Sequence, residues 1–469
     1  MKRKQFQFIN AVLCAAVFIL AGCKSSCEKE SGWHLLPEIL SEINPPLFPD
    51  KKYMITEYGA VGDGQRDCTE AIKSAIAACH DNGGGFVVIP NGIWLTGAIH
   101  LKSNVNLHVQ KDGVLLFSRD LKHYLPLVHT RFEGVECMNY SPFIYAYGQE
   151  NVAVTGAGVL DGQADDTLWW PWAGKRRYGW SEDIPDQKRD RDALFEMAEK
   201  DVPVEERIYG NGHFIRVNFI QLYKCKNVLV DSITIKRSPM WEIHPVLCEN
   251  VIVQNVVVKS HGPNNDGCNP ESCRNVLIKN CYFDTGDDCI AIKSGRNEDG
   301  RRVNVPSENI VIQGCRMKDG HGGVVIGSEI SGDVRNVYAE DCVMNSPHLE
   351  RALRIKTNSR RGGVVENIFM RNIEVGEVSD AVVRINFNYG EGDVGKHTPV
   401  VRNIVVQNVT SQKSAYALRF DGYRRSPIRN VRIKDCSFQG VAKVNRINHV
   451  VGLEMKNVTI NDKLQHSKN

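Results

Sequence analysis

A tripeptide of a usually charged residue, Asn, and Val or Ile recurs along this 469-residue chain and constrains its fold more than any other feature. It stands at Lys226-Asn227-Val228, Glu249-Asn250-Val251, Arg274-Asn275-Val276, Glu308-Asn309-Ile310 and Arg335-Asn336-Val337. It returns at Glu366-Asn367-Ile368, Arg402-Asn403-Ile404, Arg429-Asn430-Val431 and Lys456-Asn457-Val458. The asparagines are 23, 25, 34, 27, 31, 36, 27 and 27 residues apart, a spacing that means one stacked structural unit per step. Each Asn-Val opens a short alternating stretch. Six residues after the Asn comes a second inward candidate: Ile233, Val256, Cys281, Cys315, Cys342, Ile373, Val409 or Cys436. Short strands at this period predict an all-β, single-domain, right-handed parallel β-helix, with like residues stacked coil on coil at ~4.8 Å. In such a stack Cys behaves as a small buried hydrophobe, and bridges between neighbours would be strained, so free thiols are expected. Stacked Asn side chains are expected to hydrogen-bond between coils. Asn104-Val105 and Asn151-Val152 carry the pattern towards the N-terminus.

A solenoid needs its open ends covered. Asp67-Cys68-Thr69-Glu70 reads as a capping box, and Ala71, Ile72, Ala75, Ile76 and Cys79 form one apolar face of a helix ending at Asn82-Gly83-Gly84-Gly85. That helix is the expected N-terminal plug. The rhythm fails from about residue 161 to 215, where Trp169, Trp170, Trp172 and Trp180 sit among Lys175, Arg176, Arg177 and a charged run from Asp186 to Asp192. A long irregular insertion is usually functional, and a wall over a binding face is expected; plain packing is the alternative for each tryptophan.

Lys2, Arg3 and Lys4 precede an apolar run from Phe8 to Leu20, too short for a comfortable membrane span. Leu20-Ala21-Gly22-Cys23 resembles the bacterial lipobox. That implies a signal peptide over 1–22, a lipid on Cys23, a tether over 23–49 and a folded body over 50–469. The implied location is the periplasmic or cell-surface side of a bacterial outer membrane, with the lipid as membrane partner. A net charge of +3, from 58 basic and 55 acidic residues, argues against a nucleic-acid partner. Of the 15 cysteines none forms a C-x-x-C pair with zinc-like partners.

Placed on the coil frame, the polar residues converge. Asp266 lies 16 residues after Asn250, Asp287 and Asp288 lie 12 and 13 after Asn275, His321 lies 12 after Asn309, and Arg354 and Lys356 lie 18 and 20 after Asn336. Four consecutive coils would align these groups in one strip. Clustered carboxylates cannot all stay ionised, so one is poised as an acid and another as a base, the pairing that glycosidic cleavage requires. Arg354 and Lys356, one residue apart on a strand, would point the same way and could hold a substrate carboxylate.

Asn264-Asn265-Asp266-Gly267, Thr285-Gly286-Asp287-Asp288-Cys289, Gly320-His321-Gly322 and Arg354-Ile355-Lys356 resemble, in order, the four signature motifs of the polygalacturonases, glycoside hydrolase family 28. Tyr58-Gly59-Ala60-Val61-Gly62-Asp63-Gly64 is similar to the family's opening, so the resemblance spans residue 58 to about 460. It implies Asp287 as general acid, with Asp266 and Asp288 activating water and His321 tuning the acid or holding the site together. It also implies that Arg354 and Lys356 bind galacturonate carboxylates, with Asn264 and Tyr389 as further substrate contacts. Asn265 departs from a frequent Thr at a side position.

The resemblance implies hydrolysis of α-1,4-galacturonosidic bonds in pectin with inversion, by a monomer that needs no metal or cofactor. The insertion and Ser238-Pro239-Met240-Trp241-Glu242-Ile243-His244-Pro245 resemble the exo-acting bacterial branch. Rhamnogalacturonan or xylogalacturonan hydrolysis, a calcium-dependent pectate lyase and a non-catalytic carbohydrate-binding β-helix stay open as alternatives.

Overall fold

The computed structural model describes residues 32–465; the signal-peptide and Cys23 expectations fall outside them. Parallel strands stack in register through most of this length, and their faces enclose one continuous apolar core. The fold is the right-handed parallel β-helix that the repeat predicts. The second inward candidates from Ile233 to Cys436 are all buried in it, and the twelve cysteines among the described residues are buried and free.

The recurring Asn has two physical duties. At Asn227, Asn250, Asn275, Asn309, Asn336, Asn367, Asn403, Asn430 and Asn457 the backbone is left-handed, with φ between 52° and 59°. Among non-glycine residues Asn tolerates that conformation best. The side chains then ladder between coils: Asn309 Nδ2 donates to Asn275 Oδ1 at 2.9 Å, and Asn336 Nδ2 to Asn309 Oδ1 at 3.1 Å. At Asn250 the carboxamide oxygen accepts instead from the backbone N–H of Asn44.

That contact belongs to a segment the sequence reading assigned to a tether. A short helix α1 (Leu36–Ser41) follows a 3₁₀ turn at Trp33–Leu35. Trp33, Leu36, Ile39 and Ile43 pack on an outer stripe of Ile252, Val311, Tyr338, Phe369 and Val405. The proposed tether over 23–49 is therefore corrected: from Trp33 onward it is a docked strap, because outward apolar residues of successive coils leave a stripe that must be covered.

Helix α2 (Thr69–Asp81) is the N-terminal plug, burying Ile72, Ala75, Ile76 and Cys79 against the core. Its capping differs from the expected box. Cys68 is the cap residue, Asp67 Oδ1 accepts from the Thr69 N–H and hydroxyl, and Glu70 pairs with Lys73.

One face positions the site. Its strands are β1 (Ile290–Ile292), β2 (Val324–Ile326), β3 (Arg351–Lys356), β4 (Ala381–Asn386), β5 (Tyr416–Asp421) and β6 (Arg446–Asn448), stacked in that order. Bridges from Ile243 to Cys268 and from Cys268 to Ile290 continue the face towards the N-terminal coils. The insertion folds beside it as 3₁₀ turns at Pro171–Ala173 and Arg176–Tyr178 and helix α3 (Lys188–Glu199). A further short helix, α4 (Asn297–Val303), follows β1.

Candidate active site

The register that pairs Cys268 with Ile290 also puts Asp266 beside Asp288 on successive coils, and the Gly267 N–H donates to the Asp288 carbonyl at 3.0 Å. Asp287 occupies the turn just before the strand. One carboxylate oxygen from each of Asp266, Asp287 and Asp288 lies within 4.8 Å of the other two. Asp266 and Asp288 are buried, whereas the Asp287 side chain is 19% exposed. Only Asp287 of the three offers its carboxyl to the cleft.

Around this trio the neighbouring coils supply charge. His321 Nδ1 lies 2.9 Å from Asp287 Oδ1. Lys356 Nζ donates to Asp288 Oδ2 at 2.6 Å, and Arg354 donates to Asp288 Oδ1 at 3.3 Å. The Tyr389 ring lies 5.4 Å from the Arg354 guanidinium and 5.2 Å from Lys356 Nζ. The structure thus brings together Asp266, Asp287, Asp288, His321, Arg354, Lys356 and Tyr389. Asn264 sits at the edge in a left-handed turn, its carboxamide oxygen accepting from Arg216 at 2.7 Å. Its neighbour Asn265 is buried and holds the turn, accepting from the Gly262 N–H and donating to the carbonyls of Ser238 and Met240.

Burial and the neighbouring Asp287 charge push the Asp266 carboxyl well above the ordinary range. Burial also acts on Asp287, but the His321 hydrogen bond and the charges of His321, Lys356 and Arg354 outweigh it and hold that carboxyl down. The same hydrogen bond raises His321. Asp266 therefore has the higher proton affinity of the two, and Asp287 the lower.

Several participants lie outside the four signature motifs. Lys293 Nζ lies 3.7 Å from Asp266 Oδ2, 3.1 Å from Glu329 Oε2 and 4.5 Å from the Trp241 ring centre. Asn269 Nδ2 donates to Asp266 Oδ2 at 2.8 Å. Arg296 pairs with Glu329 and Glu391, and its guanidinium lies over Phe195 of α3. Glu242 is wholly buried, and burial with the Asp266 charge raises its carboxyl far above the ordinary range. Lys293 lies 18 residues after Asn275, as Arg354 does after Asn336, a shared offset that points to it.

The three carboxylates are spaced to grip a water or a cation, but Lys293, Lys356 and Arg354 already bring positive charge to them. A second acidic cluster of His261, Asp284 and Asp319 is engaged by Lys318, which pairs with Asp284 at 3.1 Å.

The insertion encloses the site from the earlier coils. Trp170 packs against Gly262 and donates to the Ser238 carbonyl at 2.8 Å. Trp169 and Trp172 are core residues packed with one another, and Trp169 also meets Tyr124 and Phe143, so their role is packing. Arg177 and Tyr178 line a cavity of about 360 Å³ with Gly286, His321 and His348. Lys175 feels the Asp287 charge from the same wall.

The sequence profile described as "Glycosyl hydrolases family 28" matches residues 211–459, more than half of the chain. A probable polygalacturonase of Vitis vinifera is 28% identical over 466 residues, covering 94% of this chain and 84% of that protein. An exo-poly-alpha-D-galacturonosidase of Dickeya chrysanthemi is 25% identical, covering 78% of this chain and 64% of that longer protein. Among solved structures, a hyperthermoactive exopolygalacturonase from Thermotoga maritima superposes with a TM-score of 0.90 at 48% identity, covering 92% of this chain and 97% of that one. With the trio, its cationic flank and the coil architecture in place, the chain belongs to glycoside hydrolase family 28.

Proposed function

We propose that this enzyme hydrolyses α-1,4-galacturonosidic bonds of pectin from chain ends. The observation that carries the reading is the acidic trio set against the Arg354 and Lys356 cations within one cleft. Asp287, the exposed member, reaches the glycosidic oxygen as general acid. Asp266 and Asp288 orient and deprotonate the attacking water, and Arg354, Lys356, Tyr389 and Asn264 hold the sugar acids. A galacturonate carboxylate docked on Arg354 and Lys356 offsets two of the charges that hold the Asp287 carboxyl down. Substrate entry therefore raises the proton affinity of Asp287, the group that must deliver the proton.

The trio's spacing is below the ~6.5–9.5 Å typical of inverting pairs and nearer the ~5–5.5 Å of retaining ones. Inversion is carried over from the family resemblance, with Asp266 and Asp288 as the pair that holds the water. Proton NMR of fresh product distinguishes the outcomes: β-anomer first supports inversion, α-anomer first overturns it. Exo action is supported by the insertion wall over the earlier coils and by the exo-acting names of the Thermotoga and Dickeya relatives. On polygalacturonate we expect mono- or digalacturonate to accumulate while viscosity persists; a fast viscosity drop with mixed oligomers refutes the exo reading. Replacing Asp287 by Asn is expected to lower kcat by ~10²–10⁴-fold.

Export and anchoring through Cys23 are part of the same proposal. Among the described residues no helix is long and apolar enough to cross a membrane. Labelled palmitate should enter the intact protein and not a Cys23→Ser variant.

A further inference from the structure

The register carries Arg354 onward: it pairs with Arg384, Arg384 with Arg419, and Arg419 with Arg446, one arginine per coil from β3 to β6. Like charges stacked at ~4.8 Å are costly unless something holds them. Acidic partners meet part of that cost: Arg384 and Arg446 share Asp421, and Arg419 pairs with Asp380. Beyond β4 the column opens into a cavity of about 740 Å³ whose charged lining is Arg424, Arg425, Arg446, Asp393, Asp421 and His449. That is within the size range of sites that hold small ligands, ~300–1,000 Å³.

The cavity borders the active site through one loop. Tyr389 faces Arg354 and Lys356, and Glu391 pairs with Arg296, while Asn388 and Asp393 of the same loop line the distal cavity. Arg424 is exposed and has no ion pair among the described residues. Arg446 contacts Asp421 through Nε, which leaves its terminal amino groups for another acceptor. The insertion wall covers the earlier coils, so a polymer held at the trio extends along the face towards β6.

Resting on the proposed activity, we infer that this cavity is an accessory site for a distant, de-esterified galacturonate segment of the chain being cleaved, with Arg424 and Arg446 as its carboxylate ligands. The site adds affinity for long substrates through linkage to the active site and takes no part in bond breaking.

The test compares the parent with the Arg424→Glu/Arg446→Gln double variant and with Arg424→Glu alone, the latter guarding against damage around Asp421. On polygalacturonate the double variant should lose about tenfold in kcat/KM, chiefly through KM, with a smaller loss at high salt. On trigalacturonate, too short to reach the cavity, the rate should be unchanged. Equal losses on both substrates, or none on the polymer, overturn the inference. Affinity electrophoresis in polygalacturonate gels, in an Asp287→Asn background, reads binding without turnover. The parent background should be retarded, each arginine variant less so, and fully methyl-esterified pectin should retard none. Equal retardation of all forms overturns the inference even if the activity itself proves different, and activity with intact retardation leaves the hydrolase reading standing alone.

Discussion

The His321–Asp287 contact is where one residue's titration reaches the chemistry. His321 is raised by its hydrogen bond to Asp287, so the stabilisation it contributes is complete below the ordinary histidine value and is lost as pH climbs through the elevated one. Asp287 is lowered, so its share is present above the ordinary carboxyl value and is lost as pH falls through the depressed one. Between those limits the pair is intact. Replacing His321 by Ala removes a positive neighbour from the trio, and the carboxyl proton is then retained to higher pH. The expected result is a fall in kcat/KM together with an upward shift of the alkaline limb of its pH profile. A fall with the limb unmoved would mean that His321 only fills space.

At the scale of the element, the Asn turn governs the coil. Asn309→Ala forces a residue with a Cβ and no amide into a left-handed turn, costing ~1–2 kcal/mol, and removes two ladder hydrogen bonds at ~0.5–1.5 kcal/mol each. Asn309→Gly keeps the turn and loses only the ladder. Urea melts should therefore rank wild type above Gly and Gly above Ala. This turn explains why the fold was legible: a left-handed position selects Asn in every coil, so the selection shows as a period in the sequence. The site was legible for the same reason, since Asp266, Asp287, Asp288 and Arg354 fall 12 to 18 residues after that Asn and inside recognisable motifs. Lys293, Glu329 and Arg296 were not, since they stand outside the four signature motifs and their roles depend on partners brought together from other coils. The strap was missed because α1 has only six residues, and its apolar face matters only against a stripe assembled from five separate coils.

For the molecule as a whole, that strap joins coils from Ile252 to Val405 along their outer face. Trp33 is its anchor, with Tyr338 at 5.4 Å, Phe369 at 6.0 Å and the Arg371 guanidinium 3.9 Å over its ring. Trp33→Ala should cost roughly 3–5 kcal/mol and lower Tm while leaving kcat on trigalacturonate intact, because the strap and the cleft lie on different faces. Calorimetry alongside an activity assay checks both halves. The twelve free thiols among the described residues give a companion expectation: reductant should leave Tm unchanged.

Stacking by coils has one more consequence. All the groups of the proposed chemistry lie between the coil of Asp266 and the loop of Tyr389, whereas the arginine column runs on to Arg446. A whole coil gained or lost after β5 would alter how many sugars the enzyme can grip without displacing a single reacting atom. Reach and reactivity can thus vary independently in such a molecule, as the length of a ruler varies without changing its zero.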